Sequence, residues 1–332
     1  SGSSSVEDLE TLFQLTHLQF TAPRLDDTGF ALFKEQRAEA IRNRLKSPQT
    51  WFSDRYRELM WHGYLRYEPW NVVSLAAVDL EVARRFFTAR FANAGDFTVA
   101  LVGNTTPEQL EPFVTRYLAS LPGDPKSKES PPSIGAQRNP ESVSATVRRG
   151  LDPKAQARLT LHGPFKNTAE NRYLLGAVVS LLSDRLREEL REELGGTYSV
   201  SANDSLREHP ISDYAVSVAF QCDPARVREL LERAKQVISQ MSESPPSDEE
   251  LQKLRAQQLR GRETALRTNG FWLSALLAYE RRSEPLENIL TYGELANSLT
   301  PKKVQESAKR WLTQERTVEV VLLPEQAMGK AR

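Results

Sequence analysis

The chain has 332 residues, of which 39% are hydrophobic and 27% charged, and its 44 basic side chains balance its 44 acidic ones. This much apolar surface supports folded cores, so the composition excludes an intrinsically disordered chain. The length exceeds the roughly 100 to 200 residues of a typical domain and predicts two domains. The zero net charge gives no attraction to nucleic acid or to anionic lipid, and we expect neither as a partner.

Cysteine content and the longest apolar runs exclude two further classes of protein. The single cysteine, Cys222, can form neither an internal disulfide nor a thiolate metal cluster. The first residues, Ser1 to Ser5, lack the basic segment and apolar core of a signal peptide. No run approaches the roughly 18 consecutive apolar residues of a membrane helix, so we expect no membrane span.

The predicted elements follow one another in a pattern that occurs twice. The first copy predicts helices over Val6 to Phe20, FALFKEQRAEAIRNRL, WFSDRYRELMWHG and LEVARRFFTARF, then a strand at 97–103, FTVALVG. The second copy adds three strand-like runs at its start, ATVRRG, ARLTLHG and YAVSVAF. It continues with helices over Val227 to Met241, LQKLRAQQLRGRETAL, FWLSALLAYERR and KKVQESAKRWL, and a strand at 317–323, TVEVVLL.

The two copies keep a constant register. Phe30 aligns with Leu251 and Trp51 with Trp272, each pair 221 residues apart. Such self-similarity is typical of a duplicated unit. We therefore predict a partial, mostly helical first repeat over 1–121, a linker rich in Pro, Ser and charge over 122–142, and a complete second repeat over 143–332.

The first copy lacks the strands that open the second. A sheet without them exposes unpaired backbone groups, so we expect residues before Ser1 in a longer parent protein. Two alternatives are a first unit that is degenerate and one that borrows strands from a neighbouring copy.

The four histidines do not predict a metal site. His17 is expected on a helix face, His62 at a packed or capping position, and His162 at a strand end. The segment SLREH, which ends at His209, resembles an inverted zinc motif with serine in place of the first ligand, but it precedes a proline and predicts a loop. No signature of a serine hydrolase, a nucleotide-binding loop or a redox dithiol is present in the sequence.

One corner of the sequence could carry chemistry. A charged helix ends at Gly195-Gly196, where glycine permits a left-handed cap, and a strand follows. This geometry could bring Arg191 close to Tyr198, and together they supply donors suited to a carbonyl or a developing oxyanion. By spacing alone, a surface ion pair for Arg191 and simple packing for Tyr198 are favoured.

The sequence resembles the pitrilysin and insulysin family of zinc peptidases over nearly its whole length. The resemblance is carried by FTAPRLDDTGFALFKEQ at 20–36, LREELREELGGTYSVSA at 186–202 and TNGFWLSAL at 268–276. It implies an α+β fold of pitrilysin-type (LuxS/processing-peptidase-like) units, each an antiparallel sheet packed by helices, in two copies with the first truncated at its N-terminus. In that family four such domains share one chain, and only the first bears HxxEH.

The resemblance assigns roles to the corner. An arginine and a tyrosine at the Arg191 and Tyr198 spacing reach the zinc site of the first domain, where they bind substrate and the tetrahedral intermediate. It also implies that the strand following the helix docks extended peptide, through residues that we predict as Gly195, Gly196, Thr197 and Ser199.

The resemblance places the zinc elsewhere. The helix that would carry HxxEH corresponds here to Asn171 through Leu190, whose inward positions are apolar: Leu174, Leu175, Val178, Val179 and Leu181. We therefore expect no metal ligand and no cofactor on this chain, and a zinc ion in an N-terminal half of the parent.

The expected function is that of the substrate-binding, zinc-free half of a zinc-dependent endopeptidase or oligopeptidase, inactive alone. Its expected partners are the zinc-bearing half of the same protein and peptide substrates. The alternatives are a non-catalytic scaffold and a separately encoded partner subunit of the same fold. By resemblance a bacterial periplasmic location is favoured, with the cytoplasm as the alternative.

Overall fold

The structure, a computed structural model, describes residues 1–62, 64–124 and 135–325, apart from the side chain of Tyr198. The chain forms two compact units. The first comprises Ser1–Ala40, Asn71–Pro132 and Arg262–Thr291, and the second comprises Ile41–Trp70, Ser133–Gly261 and Tyr292–Arg332. The predicted domains are each one continuous stretch of sequence, divided at 122–142, whereas each compact unit is made of three separate segments of the chain. Residues 125–134 of the predicted linker lie outside the described part.

Twelve α-helices and five strands are present in the described residues. The helices are α1 Leu9–Thr21, α2 Asp27–Arg44, α3 Pro48–Trp61, α4 Val72–Ala76, α5 Leu80–Phe91, α6 Pro107–Phe113, α7 Ala169–Arg187, α8 Val227–Glu243, α9 Asp248–Ala265, α10 Asn269–Arg281, α11 Tyr292–Asn297 and α12 Pro301–Trp311. The strands are β1 Val143–Arg148, β2 Ala155–Pro164, β3 Thr197–Arg207, β4 Asp213–Cys222 and β5 Thr317–Leu323.

The helices repeat at the predicted spacing. Helix α9 begins 221 residues after α2, and α10 begins 221 residues after α3. The indole nitrogens of Trp51 and Trp272 each donate a hydrogen bond at 2.8 Å to the carbonyl six residues earlier, of Leu45 and Leu266. The interpretation of these helices as two copies of one fold unit stays a prediction.

The first unit is built on aromatic contacts between helices. Phe13 of α1 stacks on Phe113 at a ring-centroid distance of 5.6 Å, and Phe20 meets Phe91 and Phe97 edge-on at 5.0 and 4.9 Å. The prediction of a strand at 97–103 is wrong, because no strand forms there and no described residue of the first unit forms a strand that could pair with it. A lone strand leaves its backbone hydrogen bonds unmade, and Phe97 is held by its side chain instead.

The second unit contains one five-stranded sheet in the order β1-β5-β2-β4-β3. All pairs are antiparallel except β1 with β5, which is parallel and corrects the prediction of a wholly antiparallel sheet. The α+β class and the three strand-like runs are confirmed. Strand β3 lies at one edge of this sheet.

Helices cover both faces of the sheet, and the two-residue alternation of the strands decides which residues meet them. On one face α7, α8 and α12 enclose the larger core, which includes Leu159, Val216 and Val321. On the other face α3 packs Phe52, Met60 and Trp61 against Val318, Val320 and Leu322. The packing of α3 explains why residues 41–70 belong to the same compact unit as the sheet.

The expected apolar positions of α7 are confirmed as core. Leu174, Leu175, Val178, Val179 and Leu181 are all buried. Thr168 caps the helix, its hydroxyl accepting a hydrogen bond from the backbone N–H of Asn171 at 3.2 Å. A helix that faces the core with aliphatic side chains offers no ligand to a metal ion.

Candidate functional site

The predicted corner is a helix end, two glycines and the start of an edge strand. Helix α7 continues into a π-helical turn over Glu188–Glu193, in which the N–H of Leu194 donates to the carbonyl of Glu189 at 3.2 Å. The wider turn was not predicted, because its extra residue leaves no mark on the hydrophobic pattern. Such turns recur at functional sites.

Packing fixes this turn on the body of the unit. Leu190 is fully buried, and its carbonyl accepts a hydrogen bond from the N–H of Gly196 at 3.0 Å. Arg233 of α8 donates from its Nε to the Glu189 carboxylate at 2.9 Å. The turn is therefore held from both its apolar and its charged sides.

Arg191, on the same turn, is exposed and makes no hydrogen bond or ion pair with any described residue. The expected surface ion pair to a neighbouring carboxylate is therefore not formed in the structure. The guanidinium carries five N–H donors, and they stay available to a ligand.

The two glycines act differently. Gly195 has φ of +54°, the left-handed conformation predicted for the helix cap. Gly196 is buried, and a β-carbon there would lie 2.6 Å from Cδ2 of Leu230. Gly196 thus permits the close approach of the corner to α8.

We expect Gly196→Ala to lower the free energy of unfolding by about 1–3 kcal/mol, because Leu230 is fully buried and has little room to move. Gly261→Ala in α9 is the matched control: its β-carbon would meet nothing within 4 Å. That change should raise the free energy of unfolding by roughly 0.5–1 kcal/mol. Urea denaturation measures both, and equal stabilisation by the two changes would contradict the close approach.

A β-bulge opens strand β3. Thr197 pairs with Cys222 and Ser199 with Gln221, so the backbone of Tyr198 is the extra residue between them. Bulges of this kind redirect a side chain and are frequent beside active sites. The side chain of Tyr198 lies outside the described part of the chain, so the predicted meeting of Arg191 and Tyr198 stays a prediction.

The remaining predicted binding residues divide into exposed and buried. Ser199 and Gly195 are exposed, whereas Thr197 is buried. The Thr197 hydroxyl donates to the carbonyl of Gln221 at 2.6 Å and accepts the N–H of Ser199 at 3.2 Å. This hydroxyl stabilises the bulge. Because it is already bonded within the chain, a peptide would have to pair with the backbone of the strand.

The histidines lie on separate elements. His17 is on α1, and its Nδ1 lies 2.8 Å from the carbonyl of Tyr117. His62 is exposed and caps the C-terminus of α3 with φ of +47°, so its expected capping position is confirmed. His209 is exposed beyond the end of β3, in the predicted loop. In the parts of the chain that the structure describes, no three His, Cys, Asp or Glu side chains are grouped to hold a metal ion. The described residues therefore do not fit a zinc site.

His162 lies near the end of β2, as predicted, two residues before the last residue of the strand, Pro164. Its side chain is only 3% exposed. Burial, with a smaller contribution from the nearby Arg138 guanidinium, lowers the pKa of His162 from 6.5 to about 4. The imidazole is therefore neutral at pH 7.

This lowered pKa predicts a pH-dependent stability. Between pH 6.5 and 4 the unfolded chain binds a proton that the folded chain refuses, so the contribution of His162 is complete above pH 6.5 and is lost as the pH falls through that range. We expect a loss on the order of 3 kcal/mol, at about 1.4 kcal/mol for each pH unit between 6.5 and 4. Urea denaturation at several pH values measures the effect. The free energy of unfolding should fall less with decreasing pH in His162→Gln than in the unchanged chain, and the exposed His209→Gln should behave like the unchanged chain.

Comparison with known proteins identifies the family. A sequence profile described as the peptidase M16 inactive domain matches residues 77–258, just over half of the chain. The chain belongs to the peptidase M16 inactive domain family. It is 26% identical over 352 residues to the zinc protease PQQL-like of Arabidopsis thaliana, and 27% identical over 258 residues to the probable zinc protease PqqL of Escherichia coli.

The match covers most of this chain but only part of those relatives. Alignment with the Arabidopsis protein covers 96% of the chain and 36% of the relative; for the E. coli protein the shares are 76% and 27%. The chain thus spans about a third of the length of the curated relatives it matches.

Solved structures share the fold. The periplasmic protease PqqL from Escherichia coli superposes with a TM-score of 0.81 at 23% identity, over 96% of this chain and 35% of that one. A peptidase M16 inactive domain from Pseudomonas fluorescens gives 0.78 at 18% identity, over 98% and 77%. None of the helices in the described residues has the length and apolar character needed to cross a bilayer.

Proposed function

We propose that this chain is the substrate-binding, zinc-free half of a zinc-dependent endopeptidase or oligopeptidase, which hydrolyses peptides in a chamber between two halves. The observation that carries the proposal is the exposed Arg191, which has no partner among the described residues and lies on a turn next to an edge strand. The family of the chain and its zinc protease relatives support it. The zinc belongs, in this proposal, to the N-terminal half of the parent, and no metal step is assigned to this chain.

In this proposal Arg191 donates to the carbonyl of the scissile peptide, and more strongly to the negative charge that develops on it. A fixed cation is effective there because it needs no reorganisation as the charge forms. Tyr198 is proposed to donate a second hydrogen bond to the same intermediate or to the substrate backbone.

The edge strand is proposed to hold the peptide. An extended peptide can pair with the outer edge of β3 by adding a strand to the sheet. The Ala202 N–H already donates to the hydroxyl of Ser183 on α7, at 3.3 Å. We therefore propose that pairing is confined to the first residues of β3, Ser199 to Ser201, next to Arg191.

The test separates this function from a scaffold. We expect this chain alone and the zinc-bearing half alone to hydrolyse a fluorogenic peptide far more slowly than the parent protein, and mixing the two halves to restore hydrolysis. A scaffold role predicts instead that the zinc-bearing half alone is as active as the parent. The periplasmic location of the E. coli relative supports a periplasmic parent, which fractionation of cells would test.

A further inference from the structure

A cleft in the second unit lies at the opposite end of the sheet from the Arg191 corner. Thr197, at the corner, pairs with Cys222, whereas His162, in the cleft wall, pairs with Ala215. Seven residues along β4 separate these positions, about 23 Å at the rise of a strand. The cleft, of about 660 Å³, is thus distinct from the proposed peptide site.

Hydrogen bonds hold the loop after β2, which forms one wall. The N–H of Phe165 donates to the carbonyl of Ser212 at 3.1 Å, and the Ser212 hydroxyl donates to the carbonyl of Phe165 at 2.7 Å. The amide of Asn171 donates to the carbonyl of Lys166 at 2.7 Å. The wall is therefore formed before any ligand binds, which lowers the entropy lost on binding.

Part of the lining is aromatic. Phe165 lies 5.6 Å from Trp311 and 6.3 Å from Tyr214, measured between ring centroids. All three rings line the cleft and are largely buried. Fixed rings of this kind bind an apolar or aromatic group.

The rim of the cleft is cationic. Lys166, Arg310 and Arg316 line it and are exposed, and none of them makes an ion pair with a residue in the described ranges. Arg310 lies over the ring of Trp311, with its guanidinium carbon 5.5 Å from the centroid. Glu315 is the one carboxylate among the lining residues, so the rim favours an anion.

We propose that this cleft binds a small carboxylate that carries an aromatic or branched apolar group. Arg310 and Arg316 hold the carboxylate, and Phe165 and Trp311 pack against the apolar group. The C-terminal residue of a peptide and a free aromatic acid share this chemistry. The proposal is independent of the function proposed for the Arg191 corner.

The test uses the full chain and matched probes. 3-Phenylpropionate and its uncharged amide are titrated by calorimetry, together with an acetylated tripeptide that ends in phenylalanine as the free acid or the amide. We expect both acids to bind, each at least about tenfold more tightly than its amide, and Arg316→Gln to weaken both acids by about tenfold. Arg148→Gln, another exposed arginine on the same sheet, should change nothing.

Tighter binding of the peptide acid than of 3-phenylpropionate would identify a peptide C-terminus as the ligand, and the reverse a free acid. Equal binding of acid and amide, or no binding at about 10 mM, would overturn the proposal.

Discussion

Replacing Arg191 by alanine is expected to lower kcat of the zinc-loaded parent peptidase by about 100- to 1000-fold, with little change in KM. The reason is that a cation aimed at the developing oxyanion acts mainly in the transition state. Because Arg191 is exposed and has no partner in the described chain, its removal should leave the free energy of unfolding unchanged. Initial rates of peptide hydrolysis over a range of substrate concentrations measure the effect.

Two variants make this measurement specific. Arg148→Ala removes another exposed arginine, on the strand at the other edge of the sheet, and should keep full activity. Tyr198→Phe should also lower kcat, and the double variant should lose less than the product of the single losses if the two side chains act on one intermediate. Zinc content must be equal in all variants. A rate for Arg191→Ala equal to that of Arg148→Ala would refute the proposed role and favour a scaffold.

Asp213→Ala is expected to lower the free energy of unfolding by about 3–5 kcal/mol, because it leaves a buried guanidinium without its counter-ion. Asp213 accepts two hydrogen bonds from Arg138, at 2.6 and 3.2 Å, and the two side chains are 3% and 10% exposed. Arg138 also lies over the ring of Trp61, 4.1 Å from the centroid. Urea denaturation of the variant and of the unchanged chain gives the difference.

An exposed ion pair provides the control. Lys302 and Glu306 lie 3.9 Å apart with side chains 84% and 58% exposed, so Glu306→Ala should cost less than about 1 kcal/mol. Replacing both members of the buried pair, as Arg138→Leu with Asp213→Ala, should restore part of the loss, because no buried charge then remains unpaired. A loss for Asp213→Ala no larger than that for Glu306→Ala would show that the pair is not buried in solution.

Local patterns predicted most helices and the strands of the sheet. The heptad-like spacing of Val227, Leu230, Leu231 and Ala234 predicts α8, and all four residues are buried. The strand at 97–103 was predicted on the same kind of evidence and is absent. A β-pattern reports apolar alternation, whereas a strand also needs a partner, and the partner is not encoded in the segment.

The candidate site divides in the same way. The glycine pair and the change from helix to strand are visible in the sequence, and Gly195 has the expected left-handed backbone. The π turn that contains Arg191 and the bulge at Tyr198 were not predicted. The turn contacts α8 and the bulge lies in the pairing of β3 with β4, and both elements are distant in sequence. The burial of His162 near its predicted strand end was not predicted, because the groups beside its imidazole, Arg138 and Asp213, are far from it in the chain.

The sequence by itself determined the α+β class, the repeated order of helices, the aliphatic character of α7 and the family to which the chain belongs. The first three depend on residue types at short, regular spacings, which local geometry converts directly into helices and strands. The family follows instead from the resemblance of whole segments, such as 186–202, to known members. The tertiary structure alone decided the parallel pairing of β1 with β5, the packing of α3 on the sheet and the burial of His162. It also left Arg191 without an ion pair to any residue that the structure describes. Each of these depends on groups far apart in the chain, whose meeting is set by packing and desolvation and leaves no periodic pattern in the sequence.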